Sequence, residues 1–194
     1  MKGFVIFETT KYLGSYEKVS SYEIIDETVY KNVEQAKERM LSRINEIANE
    51  YDMLEDKDFL SEIEGMEENC FETGGGLFPD FDDYTIKIVE LDNAVDNGYV
   101  FVELYDDVDF FNLSILNNTM YKDIDTKEFI KNRVFEFYNE ALRVWGVSQY
   151  NGVEDEEFEN DFNDGLVNEL YFRMADEIFD MNSYHLEAIK LKMV

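Results

Sequence analysis

One proline, one cysteine and one histidine occur in 194 residues. The single cysteine, Cys70, excludes an intrachain disulfide and any cysteine-rich zinc or iron–sulfur site. The single histidine, His185, excludes a histidine metal triad within one chain. Bases are scarce: 17 Lys and Arg stand against 45 Asp and Glu, a formal charge of −28. Backbone binding to DNA or RNA needs positive surface, so direct nucleic-acid binding is excluded. An anionic membrane surface is excluded for the same reason. No apolar run approaches the roughly 20 residues of a membrane-spanning helix. The run Phe4-Val5-Ile6-Phe7 is too short for a signal-peptide core, and Glu8 follows at once. The chain is therefore expected in the cytoplasm, that of a host cell if a phage encodes it.

Enzyme signatures are missing as well. There is no Gly-x-Ser-x-Gly elbow and no phosphate loop. Gly74-Gly75-Gly76 lacks the Lys-Ser/Thr that a phosphate loop needs and reads as a hinge. An EF-hand register with Gly165 at position 6 puts Phe162 at 3 and Tyr171 at 12, where oxygen ligands belong. With 45 carboxylates, a glycosidase-like pair at a suitable spacing carries no information. Cys70 stands among acids, which disfavour a thiolate, and has no basic activator beside it. His185 lies in an apolar strand pattern and reads as structural. The expectation is a non-enzyme, with no catalytic residue, no metal site and no cofactor.

What is present is a foldable chain. Hydrophobic residues make up 45% and aromatics 15%, too apolar for a disordered acidic tail. A small domain stays dispersed with a net charge of roughly 2–8. This chain carries several times that, and self-repulsion opposes its folding.

The sequence also repeats itself. Gly3-Phe4-Val5-Ile6-Phe7-Glu8 matches Gly98-Tyr99-Val100-Phe101-Val102-Glu103, 95 positions later. Thr28-Val29-Tyr30-Lys31-Asn32 matches Thr119-Met120-Tyr121-Lys122-Asp123, 91 later. Arg43-Ile44-Asn45-Glu46 matches Arg133-Val134-Phe135-Glu136, 90 later, and Tyr84–Leu91 matches Tyr184–Leu191, 100 later. The order is the same throughout, which predicts a tandem duplication. Each copy reads strand, strand, helix, acidic helical insertion, strand. The expected class is α+β, with antiparallel or mixed sheets and helices packed on them. The copies are expected at 1–92 and 98–194, with insertions at about 52–83 and 147–183.

In the first copy, strands are predicted at Phe4–Glu8, Tyr22–Tyr30 and Thr85–Leu91. A helix starts at Asn32 with Gln35 at the capping-box position. Its stripe is Val33, Ala36, Met40, Ile44, Ile47, Ala48 and Tyr51. Phe59, Leu60, Ile63 and Met66 predict a second helix. In the second copy, strands are predicted at Val100–Leu104, Asn112–Tyr121 and His185–Met193, with Asp125 capping a helix whose stripe runs from Ile130 to Trp145. Leu166, Val167, Leu170, Tyr171, Met174, Ala175, Ile178 and Phe179 predict a further helix.

The charge is not spread evenly. From Glu50 to Asp92, 15 acids face two bases, a net −13. From Glu154 to Glu187, 12 acids face Arg173 alone, a net −11. An unselected polar surface mixes its signs; concentrated carboxylates on ordered elements therefore point to a partner. In size, charge and lack of enzyme motifs the chain resembles the small acidic anti-restriction and anti-CRISPR proteins of phages and mobile elements. That resemblance implies an inhibitor that imitates nucleic acid and occupies the binding groove of a basic protein, a CRISPR effector or restriction enzyme. It carries no residue assignments. From the charge distribution, the expected contacts are Asp155, Glu156, Glu157, Glu159 and Asp161 in one group. Glu62, Glu64, Glu67, Glu68, Asp82 and Asp83 form the other. The competing reading is a non-enzymatic phage or bacterial interaction module whose acidity only keeps it soluble.

Overall fold

The computed structural model describes residues 1–15, 19, 21–74, 77–106, 111–133, 136, 170–171 and 183–194. The fold is α+β, with an antiparallel sheet and a mixed sheet. By internal contacts the chain divides into two units. Unit 1 takes Met1–Asn97, Asn118–Met120 and Leu191–Val194; unit 2 takes Gly98–Asn117 and Tyr121–Lys190. No helix among the described residues is long and apolar enough to cross a membrane.

In unit 1 the apolar N-terminal run becomes β1 (Gly3–Tyr12), longer than the predicted strand. It lies between β2 (Ser21–Ile24) and β5 (Phe81–Leu91), and β4 (Cys70–Thr73) closes the other edge. All three pairings are antiparallel, with Ile6 opposite Ile88 and Glu8 opposite Ile86. Side chains alternate across a strand. One parity of the sheet, with Ile6, Tyr84, Ile86 and Phe71, joins the buried core made with the helices.

Helix α1 (Val33–Glu50) lies on that face. Asn32 caps it as the sequence predicts, its Oδ1 accepting from the Gln35 amide at 2.9 Å. The buried stripe is Ala36, Met40, Ile44, Ile47 and Ala48, with Tyr51 half-buried behind it. Helix α2 (Lys57–Gly65) is capped by Asp56, which accepts from the Asp58 and Phe59 amides. Of its apolar residues only Phe59 is fully buried; Leu60 is exposed. Phe59, Phe71, Phe78, Phe81 and Tyr84 form a chain of ring contacts at 5.4–6.4 Å, most of them tilted or edge-on. Strand β4 has no alternation long enough to betray it; it buries Phe71 in the core and Thr73 two residues on.

The predicted second strands are both broken. After β2, Ile25–Glu27 makes a 3₁₀ turn with Asp26 at φ 58° and Glu27 at φ 48°. The chain then resumes as β3 (Thr28–Val29). Left-handed backbone cannot continue a strand, and Asp is among the few side chains that tolerate it. Arg39 of α1 holds the turn, its Nε 2.6 Å and a terminal nitrogen 3.2 Å from the two Asp26 oxygens.

In unit 2, β6 (Asn97–Asp106, with Asn97 counted in unit 1) pairs antiparallel with β7 (Phe111–Ile115), Glu103 opposite Ser114. A second 3₁₀ turn, Leu116–Asn118, follows with Asn117 at φ 54° and Asn118 at φ 46°. Residues 126–133 are helical and are labelled α3. Asp125 caps this helix, accepting from the Glu128 amide at 3.1 Å. Phe101, Tyr121 and Phe129 pack ring on ring. The second sheet has the order β3-β9-β6-β7, β9 being Ser183–Met193. The two-residue β8 (Leu170–Tyr171) pairs with β9. Leu170 and Tyr171 fall inside the segment whose spacing predicts a helix; here their backbone groups pair with Tyr184 and Ser183 instead. The rest of that predicted helix, and the stripe residues of the second copy beyond Arg133, lie outside the described residues.

Gly3 is required by close approach. A Cβ there would stand 2.6 Å from Ala94 Cβ and 2.6 Å from Val29 Cγ1. Both neighbours are buried, so neither can retreat freely. Gly3→Ala is expected to cost about 1–3 kcal/mol by overpacking, read as a lower urea midpoint with unchanged slope. Arg39 also holds the Asp26 carboxyl below the usual carboxylate range. A lowered folded value contributes stability above the unfolded value of 3.8, and that contribution fades as pH falls through the folded one. Asp26→Asn should lower stability by less than about 1 kcal/mol at neutral pH, the pair being partly exposed. The gap from wild type should close on acidification below pH 3.8.

Candidate functional site

Two features of unit 1 have the chemistry of a site. The first is a cavity of about 210 Å³ lined by Glu8, Thr10, Tyr22, Glu23, Arg43 and Glu50 among others. It is smaller than the ~300–1,000 Å³ of pockets that take drug-sized ligands. Its floor is a buried carboxylate. Glu8 faces α1 because it shares the parity of Ile6 on β1. Arg43, one turn before Ile47 on α1, reaches it with Nε and a terminal nitrogen, each at 2.9 Å. The Tyr84 hydroxyl donates to the same carboxylate at 2.9 Å from β5. Glu23, opposite Glu8 on β2, stands 3.7 Å from Arg43.

These contacts set the protonation states. The Glu8 hydrogen bond holds the Arg43 guanidinium above its already high range. Burial, then the Glu8 charge, pushes the Tyr84 phenol far up. Arg43 thus stays charged and Tyr84 neutral, and neither exchanges a proton near neutrality. The constellation is a buried ion pair with the phenol as an added donor to its carboxylate.

The second feature is the acid-rich surface around α2 and β4. Glu62 and Glu64 are exposed on α2; Glu67 and Glu68 are exposed on the turn that follows. Glu68 accepts from Lys37 Nζ at 2.6 Å, which holds its carboxyl below the usual range. Among the described residues no lysine or arginine pairs with Glu62, Glu64 or Glu67. Asp82 and Asp83 follow Phe81 at the start of β5, and Asp82 accepts from the Gly14 amide at 3.2 Å. The structure does not bring these six acids together. Asn69, after Glu68, bonds the Ile88 amide, whereas Asp83 lies five residues earlier on β5, roughly 17 Å away along a strand. Asp155, Glu156, Glu157, Glu159 and Asp161 lie outside the described residues.

Cys70, at the foot of β4, is half-buried, and burial followed by the Glu72 charge pushes its thiol up. It lines a second cavity of about 210 Å³ with Glu62, Met66, Glu67 and Glu72. Among the described residues no three His, Cys, Asp or Glu side chains are placed to hold a metal ion. His185 lies in β9, as its pattern predicts. Compared with protein families, with curated proteins and with solved structures, the chain matches none.

Sequence reading missed the Glu8–Arg43–Tyr84 constellation. Two signals for it exist. Glu8 is the charged residue at the end of an apolar run, on the core-facing parity, and such a position needs a partner. Glu8 and Arg43 also both lie in the matched sequence segments, where they align with Glu103 and Arg133. Tyr84→Phe is expected to cost about 1 kcal/mol by removing one donor from a buried carboxylate. A phenol whose ionisation is suppressed in the fold contributes stability that is present below the ordinary value of 10.0 and is lost as pH rises. In an alkaline titration followed by tyrosinate absorbance, wild type should show a late component coincident with unfolding. Tyr84→Phe should lose it.

Proposed function

We propose that this chain is an acidic inhibitor that occupies the nucleic-acid-binding groove of a basic host defence protein, in the manner of an anti-CRISPR or anti-restriction protein. The observation that carries this reading is the set of exposed acids held on ordered backbone at α2 and its exit. Asp58, Glu62 and Glu64 fall within seven residues of helix. At 1.5 Å per residue they span roughly 9 Å, a mean spacing of about 4.5 Å, of the same order as the 3.4 Å per phosphate of one DNA strand. A loop would leave such charges averaged over many positions; a capped helix fixes them. The formal charge of −28 supports the same reading, since it steers encounter with a basic groove.

On this reading the partner is a basic nucleic-acid-binding protein in the cytoplasm, and the chain performs no catalysis. The test uses the immobilised full chain and nuclease-treated bacterial lysate, eluted in salt steps. A nucleic-acid enzyme released at moderate salt, and displaced by added duplex DNA or RNA, is the expected result. The triple reversal Glu62→Lys, Glu64→Lys, Glu67→Lys should then lower retention at least tenfold with an unchanged circular dichroism spectrum. A partner that holds through high salt and ignores nucleic acid would instead establish an interaction module whose acidity serves solubility.

A further inference from the structure

We infer that the chain is one fold unit used twice, and that Glu103–Arg133 is the second copy of the Glu8–Arg43 pin. The inference does not rest on the inhibitor reading.

The strand orders agree. The first sheet runs β2-β1-β5-β4; the second contains β7-β6-β9-β8. In each, the first two strands pair antiparallel, with Phe7 opposite Ile24 and Val102 opposite Ile115. Both second strands end in a 3₁₀ turn whose last two residues are left-handed, Asp26-Glu27 and Asn117-Asn118. Non-glycine residues seldom take that conformation, so two consecutive pairs at matched positions are informative. Three residues on, each segment returns to its first strand through a pair of backbone hydrogen bonds. Phe4 and Tyr30 exchange theirs at 2.9 and 2.8 Å; Tyr99 and Tyr121 exchange theirs at 2.8 and 2.7 Å. Both helices then begin with an Asx cap bonded to the amide three residues on. Each sends an arginine to the first strand's glutamate: Arg43 to Glu8 at 2.9 Å, Arg133 to Glu103 at 3.5 Å.

Unit 1 also contains two similar parallel bridges. Thr28 of β3 runs parallel to Lys192, at the end of the second closing strand. Thr119, its counterpart, forms a parallel bridge with Asn93, just past the end of the first closing strand. The two bridges are similar without being in register: by the 100-residue offset of the closing strands, Lys192 corresponds to Asp92, one residue before Asn93.

The duplication also separates scaffold from surface. Glu8 and Arg43 are kept as Glu103 and Arg133, but the strand facing them is not. Ser21, Tyr22 and Glu23 on β2 correspond to Asn112, Leu113 and Ser114 on β7. The Glu–Arg pin is therefore architecture common to both copies, and the acidic rim that Glu23 gives the first cavity belongs to one copy only.

Two measurements on the full chain decide it. Double-mutant cycles with Glu8→Gln and Arg43→Met, and with Glu103→Gln and Arg133→Met, should each show a coupling of roughly five- to thirty-fold in the unfolding equilibrium constant. Hydrogen exchange should show the amides of Tyr30 and Tyr121 protected to a similar degree, both far beyond loop rates. Should Glu8→Gln fail to fold, the Glu103 cycle and the exchange data suffice. Independence of Glu103 and Arg133 in a folded protein, or loop-like exchange at Tyr121, would overturn the inference. Neither outcome bears on lysate capture, so failure here is distinguishable from failure of the inhibitor reading.

Discussion

A carboxylate carried on the core-facing parity of an apolar strand is the constraint around which unit 1 is arranged. Glu8 is buried, and an unpaired charge there would be untenable. Its solution draws on three elements at once: β1 supplies the acid, α1 the guanidinium and β5 the phenol. Because Arg43 lies on the same helix as the buried stripe, satisfying Glu8 also fixes the rotation of α1 over the sheet. Ile44 and Ile47 are thereby turned into the core, and the aromatic chain from Phe59 to Tyr84 fills what remains. The ion pair is less a source of net stability than a device that makes one packing preferable to its neighbours.

The electrostatics of the rest of the surface have the opposite character. Arg39, Arg43 and Lys37 of α1 are committed to Asp26, Glu8 and Glu68, so the helix consumes its own cations in holding the fold. Few remain to offset the acids of α2 and the turn behind it. Repulsion among those acids has to be carried by the buried apolar core beneath, in which Phe59, Phe71 and Phe78 are almost wholly excluded from solvent. It is on this display of acids that the proposed inhibitor role rests.

The sequence made much of this legible, and the physical reasons are specific. The stripe of α1 and its Asn32 cap were readable because helix periodicity and capping are local. The first and closing strands were readable because they are apolar runs bounded by turns. The breaks at Asp26 and Asn117 were not, since Tyr22–Tyr30 and Asn112–Tyr121 keep strand-like composition through them. Strand β4 was hidden because a four-residue edge strand buries one apolar residue, Phe71, and one threonine, Thr73, too short an alternation to read. For the predicted acidic residues, charge density was legible as a sum over residues, but whether Glu67 and Asp82 meet depends on the register of β4 on β5.

The sequence by itself determined the class of fold, the charge and the helix faces, because each depends on composition or on neighbours within a few residues. It also held the doubled pattern of Gly3–Glu8 and Arg43 at Gly98–Glu103 and Arg133. Only the tertiary structure decided what that pattern is for. Glu8 and Arg43 are 35 residues apart, and Tyr84 is 76 from Glu8. No local rule can pair side chains at such separations. That requires the sheet to bring β1 beside β5, and the helix to lie across them at one rotation.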